Sequence, residues 1–233
     1  MTAEQSKKST TRDVDQSQQQ NLRELERQER IKENKLASAP VIEELAKAGF
    51  KIEWISDLYS HRLNYKSAIP ILLHWLPRID NTDVKEAIVR ALSVPWAKPV
   101  AAPILIEEFR KEISRKLEAS DFTGFLWTIG NALAVVADDS VFTDIANLAL
   151  DIKLGKAREM LVLALGNMKN PRAREILIDL LEDDEMVGYA IMALGKLRAK
   201  EAYTEIKKYQ THPKTWVRKE AKKALARIEK AHS

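Results

Sequence analysis

The chain has 233 residues, a formal net charge of +4 at pH 7 and no cysteine. That length carries a sizeable core without cross-links, and the lack of thiols excludes disulfides and thiolate metal sites and fits a reducing compartment. A charge this small makes no general case for nucleic-acid binding, but it is uneven: residues 200–233 hold ten Lys or Arg against four Glu, a local excess of six.

The first twenty residues, MTAEQSKKSTTRDVDQSQQQ, lack the apolar centre of a signal peptide, and no later apolar run is long enough to span a bilayer. The expected location is cytoplasmic. Residues 1–37, rich in Gln, Ser, Glu, Lys and Arg, read as a disordered or loosely helical tail. Within it, Leu22 to Leu36 can form a charged helix with Glu26 and Arg30 one turn apart; such a pair contributes only about 0.2–0.5 kcal/mol, so the helix is expected to fray unless something binds it.

From residue 38 to the C-terminus, dense apolar residues follow helical spacing, and a repeat domain is expected over 38–233. The stretch APVIEELAKAGFKIEWISDLYSHR, with Gly49 at a turn, reads as a degenerate first hairpin at 39–65. A DNA-reading helix-turn-helix also places Gly between short helices, but Glu53 and Asp57 would then repel phosphate from the recognition helix.

Five later segments end in the same pair, Ala91-Leu92, Ala132-Leu133, Ala164-Leu165, Ala193-Leu194 and Ala224-Leu225, at separations of 41, 32, 29 and 31 residues. Counting back one, four and eight positions from each Leu finds small or apolar residues every time, such as Ala91, Ile88 and Val84 or Ala224, Ala221 and Val217. This is one buried stripe of an α-helix. A small residue beside the Leu admits a neighbouring helix at short range. A second apolar helix precedes each: Ile69 to Leu76, Pro103 to Phe109, Val141 to Leu150, Ala173 to Leu181 and Ala202 to Tyr209. Each unit is therefore a helical hairpin, and the long second unit must carry its insertion around Arg110 to Asp121.

The stretch from Ala68 onward resembles the short HEAT repeats of phycobilin lyases, through APIL at Ala102 to Leu105, Asp83-Val84, the ALG triplets at Ala164 to Gly166 and Ala193 to Gly195, and Val217-Arg218. The resemblance implies an all-α, right-handed solenoid of about five to six HEAT-like hairpins. It implies little chemistry, because such repeats mostly form binding surfaces.

Nothing in the sequence marks a catalytic site or a cofactor. His61, His74, His212 and His232 are far apart, without HxxxH or HExxH spacing, and the paired His-Glu motifs of iron-dependent hydroxylases on HEAT scaffolds are missing. Nucleophile elbows and phosphate-cradling loops are also missing. The acidic run Glu182 to Glu185 lacks the glycine and spacing of a Ca²⁺ loop and suits the positive N-terminus of the helix that follows.

A non-enzymatic scaffold that binds a protein or peptide on its concave, second-helix surface is the preferred reading. The candidate contacts lie two and three positions before each Leu, opposite the buried stripe: Arg90, Asn131, Val162, Leu163, Ile191 and Met192, with Trp127 close by. The apolar ones serve either a partner or the next repeat's core. Trp96, in the stiff turn Ser93 to Pro99, either anchors a partner or covers the joint between two repeats. Arg218, Lys219, Lys222 and Lys223 on the last helix form either a phosphate-binding face or a polar cap. The alternative function is nucleic-acid association through that basic repeat, in the manner of HEAT-like alkyl-base DNA glycosylases, whose grooves are however basic and not apolar at the centre. Chromophore lyase activity has no residue that supports it.

Overall fold

The computed structural model describes residues 3–117 and 124–232, with side chains described over 18–115 and 124–232. Every regular element among the described residues is helical. A long helix α1 (Ala3–Lys47) and a single turn α2 (Asp57–Ser60) precede five hairpins. These pair α3 (Ile69–Trp75) with α4 (Thr82–Leu92), α5 (Ala101–Leu117) with α6 (Gly124–Val136), and α7 (Phe142–Leu150) with α8 (Glu159–Leu165). The last two pair α9 (Arg172–Asp179) with α10 (Val187–Leu197) and α11 (Tyr203–Lys208) with α12 (Thr215–His232).

Each first helix packs on its own second helix, and α4, α6, α8, α10 and α12 pack successively on one another. The molecule is an all-α helical-repeat solenoid, and its five second helices form one continuous layer. The recurrent Ala-Leu pairs lie at the centre of that layer: all ten residues are buried, none more than 5% exposed. The insertion in the second repeat appears as the extended α5, which reaches Leu117; residues 118–121 of the expected insertion lie outside the described residues.

The glycine that follows two of these pairs explains how closely the layer packs. A Cβ added at Gly166 would stand 2.9 Å from both Cα and Cβ of Ala193. One added at Gly195 would stand 2.6 Å from Cβ and 2.7 Å from Cα of Ala224. The triplet Ala-Leu-Gly thus places a bare backbone against the next repeat's alanine, and neither member can grow without separating the helices.

Side-chain caps start several turns. Asn81 accepts from the Val84 amide at 3.0 Å, Asp138 from Ser140 at 3.0 Å, and Asp151 from Lys153 at 3.1 Å. Lys85 and Glu108 are buried as an ion pair. The Lys85 ammonium on α4 meets Glu108 of α5 at 2.5 Å, and Lys111 adds a second contact at 2.8 Å. Burial alone would raise the Glu108 carboxyl, but hydrogen bonds and charge from Lys111 and Lys85 outweigh it and hold the pKa below the ordinary carboxylate range.

The segment expected as a loose tail runs into the first hairpin as one helix. The boundary expected between residues 37 and 38 falls inside α1, which continues through Pro40 even though that residue has no N–H to donate. Val41 and Leu45 of α1 are fully buried in the common core, and Trp75 Nε1 donates to Glu44 at 2.6 Å. Farther up, Asn34 Nδ2 donates to Asp83 at 2.9 Å and its Oδ1 accepts from Asn81 at 2.8 Å, while Arg30 stands 3.9 Å from Asp83. The side chains of residues 18–33 are exposed. Those of residues 1–17 lie outside the described set.

Two outcomes test this packing. Gly195→Ala is expected to cost about 1–3 kcal/mol in urea unfolding, whereas Gly124→Ala, whose Cβ meets nothing within 4 Å, leaves stability unchanged. Glu108→Gln, which strands the buried Lys85, is expected to cost about 3–5 kcal/mol. Because the folded pKa of Glu108 is lowered, its contribution is present above the ordinary carboxylate range and is lost as pH falls through the lowered value. The thermal midpoint of the Gln variant should therefore vary less with acid pH than that of the parent.

Candidate functional site

The exposed side of the second-helix layer is built from residues two, five and six positions before each recurrent Leu, which share a face at helical spacing. Across α4, α6, α8, α10 and α12 the positions two before are Arg90, Asn131, Leu163, Met192 and Lys223. Five before are Ala87, Thr128, Met160, Tyr189 and Glu220.

At the N-terminal end the face is polar. Arg90 is exposed but held to Glu86 of its own helix by hydrogen bonds of 3.1 and 2.5 Å. Thr128 of α6 donates to the same carboxylate at 3.2 Å. Asn131 donates to the Trp127 carbonyl at 2.7 Å, and the Trp127 ring remains 55% exposed.

The middle of the face is apolar. Leu163 and Met192 are half-buried beside Met160 and Tyr189. The Tyr189 ring packs 5.5 Å from that of Trp216, whose indole occupies the space where a side chain at Gly188 would stand, 1.9 Å from a Cβ built there. Burial, and then the hydrogen bond and charge of Glu159, push the Tyr189 hydroxyl up to about 12, so it stays protonated across the physiological range and donates to Glu159. Trp216 is still 40% exposed.

At the C-terminal end Lys219, Lys222 and Lys223 are exposed, with Lys223 2.7 Å from Glu220.

Three residues expected on this surface belong elsewhere. Val162 and Ile191 are 0% exposed and form core between successive second helices. α8 and α10 each have second helices on both flanks as well as a first helix beneath, so their buried arcs are wider than that of a helix on a two-layer protein. Arg218 is partly buried, and its guanidinium donates to the carbonyls of His212 and Pro213 at 2.7 and 2.9 Å and to Thr215 at 3.0 Å. It ties down the turn before α12, with three of its N–H donors committed there. Trp96 stands apart from the row, edge-on to buried Tyr65 at 5.8 Å and 42% exposed. Met160 and Tyr189 were missed by reading only the positions two and three before each Leu, although the position five before was equally legible, and Trp216, nine before Leu225, lies outside that pattern.

The acidic run is an anchor. Asp183 accepts from the amides of Glu185 and Met186 at 2.9 and 3.2 Å and receives the buried Arg158 guanidinium at 2.9 Å. Burial opposes ionisation there, but the Arg158 bond and the backbone amides prevail and lower the Asp183 pKa. Among the described residues no group of three or more His, Asp or Glu is arranged to hold a metal ion, and no helix is long and apolar enough to cross a membrane.

Residues 157–183 match the PBS lyase HEAT-like repeat. The matched unit comprises α8, its turn and α9, and ends on Asp183. That segment is one HEAT-like repeat within the helical-repeat solenoid, and it contains Met160 and Leu163 of the exposed row. No curated protein matches the chain.

The division between core and surface can be measured. Trp216→Ala is expected to lose about 1–3 kcal/mol by removing a partly buried ring packed on Gly188 and Tyr189, whereas Trp127→Ala should change stability by less than about 0.5 kcal/mol. Urea titration followed by far-ultraviolet circular dichroism distinguishes the two.

Proposed function

We propose that this chain is a non-enzymatic cytoplasmic scaffold that binds a protein or peptide segment along the exposed face of its second helices. One observation supports the reading above others. Trp127, Met160, Leu163, Tyr189, Met192 and Trp216 form a row across four consecutive helices that the solenoid itself leaves partly open. Apolar side chains spaced along such a row give a segment with periodic apolar residues its affinity. The ammonium groups of Lys219, Lys222 and Lys223 favour a segment with acidic residues at the end lying over α12. Aromatic and methionine side chains suit this use, since they supply large contact area and adaptable packing.

The test is affinity capture with the tagged chain after nuclease treatment, compared with a Trp127→Ala/Met192→Glu double variant of unchanged circular dichroism. Capture of a defined protein that falls at least tenfold with the double variant is the expected outcome. Equal recovery by both proteins overturns the assigned surface. Recovery of nucleic acid alone, with binding that collapses as salt rises, would instead favour the exposed lysines of α12 as a phosphate-binding face.

A further inference from the structure

We propose that the outward face of α1 docks antiparallel against α1 of a second copy of this chain, forming a two-fold dimer. The helix has two faces of different kinds. Asn34, Ser38, Val41 and Leu45 turn toward the repeats. On the opposite side Leu22, Leu25, Glu29, Lys32 and Leu36 follow one another at spacings of three and four, the seam of a coiled coil. The three leucines on it are 59%, 60% and 80% exposed, so among the described residues nothing covers them, and Glu29 and Lys32 stand between them.

The two charges within the seam identify the occupant. In a parallel pair Glu29 would face Glu29 and Lys32 would face Lys32. In an antiparallel pair, one two-fold axis sets Glu29 against Lys32 of the other copy, Leu25 against Leu36, and Leu22 against Ala39. All three pairings share the same axis, as a self-complementary interface requires. Leucine layers thus flank a reciprocal ion pair, and an ion pair in a seam fixes register. On the rims Gln28 approaches Lys35, while Glu26 approaches Glu33 in contact with water, where like charges cost little.

The surroundings accept such a partner. At the C-terminal end of the seam a groove of about 730 Å³ is lined by Ala39, Ile42 and Ala46 of α1 and by Lys51, Ile52 and Glu53 of the following loop. The register brings residues 18–22 of the second copy to this groove. The two arrays then lie on opposite sides of the helix pair, clear of each other's second-helix faces.

The absence of native cysteine makes cross-linking decisive. Residues 25 and 36 lie roughly 16 Å apart along one helix, beyond disulfide reach. Leu25→Cys alone and Leu36→Cys alone should therefore form no linked dimer on oxidation, whereas an equimolar mixture should form a species of twice the 26.5 kDa chain mass. In sedimentation, Glu29→Lys and Lys32→Glu should each weaken the dimer at least tenfold, and the double exchange should restore it. All substituted positions are exposed, and unchanged circular dichroism verifies folding. Self-linking of Leu25→Cys overturns the register. A parent chain that stays monomeric up to about 1 mM overturns the dimer.

Discussion

The closeness of successive second helices governs most of this structure. At Gly166 and Gly195 the backbone of one repeat lies against the alanine of the next, at separations that leave no room for a methyl group. Dispersion forces and water exclusion both depend on such distances. The glycine, the small residue and the Leu behind it act as a unit. The seam has Ser93 and Ala134 in place of glycine after its first two Leu positions, so the closest backbone contacts belong to the later repeats.

The same closeness determines which polar groups are needed. Chains that turn tightly between packed helices must satisfy exposed amides locally, and side chains of Asn81, Asp138, Asp151 and Asp183 do so at successive turns. Arg158 goes further: almost fully buried, it joins the carbonyls of Ala149 and Gly155 to the carboxylate of Asp183, linking the turn between α7 and α8 to the start of the next hairpin's second helix, α10. Lys85 and Glu108 play a comparable part between α4 and α5. Such groups are costly to separate, so they favour one alignment of neighbouring repeats over alternatives.

The sequence carried the repeat plainly because Ala-Leu reports a contact present in every unit, and all ten residues proved buried. It carried the surface less well. Positions such as Val162 and Leu163 differ only in which flank of the helix they occupy, and a single chain's periodicity does not resolve arcs that fine. Ion pairs between repeats, such as Arg158 with Asp183, join residues 25 apart in sequence and leave no periodic trace. Trp216 was legible as a large aromatic residue but not as a lid over Gly188, since that contact depends on the spacing between α10 and α12. The long α1 was hidden for a related reason: composition signals a solvated segment, whereas the Asn34, Asp83 and Asn81 contacts that hold it arise from a different part of the chain.

A stack of similar hairpins has no inherent length, and what ends it is the chemistry of its outermost faces. Here α1 lies over α3 and α4, where a preceding hairpin would otherwise seat, and α12 turns Lys219, Lys222 and Lys223 to water. The row of exposed side chains runs from Trp127 on α6 to Trp216 on α12, and its span across four helices is set by the spacing of the repeats.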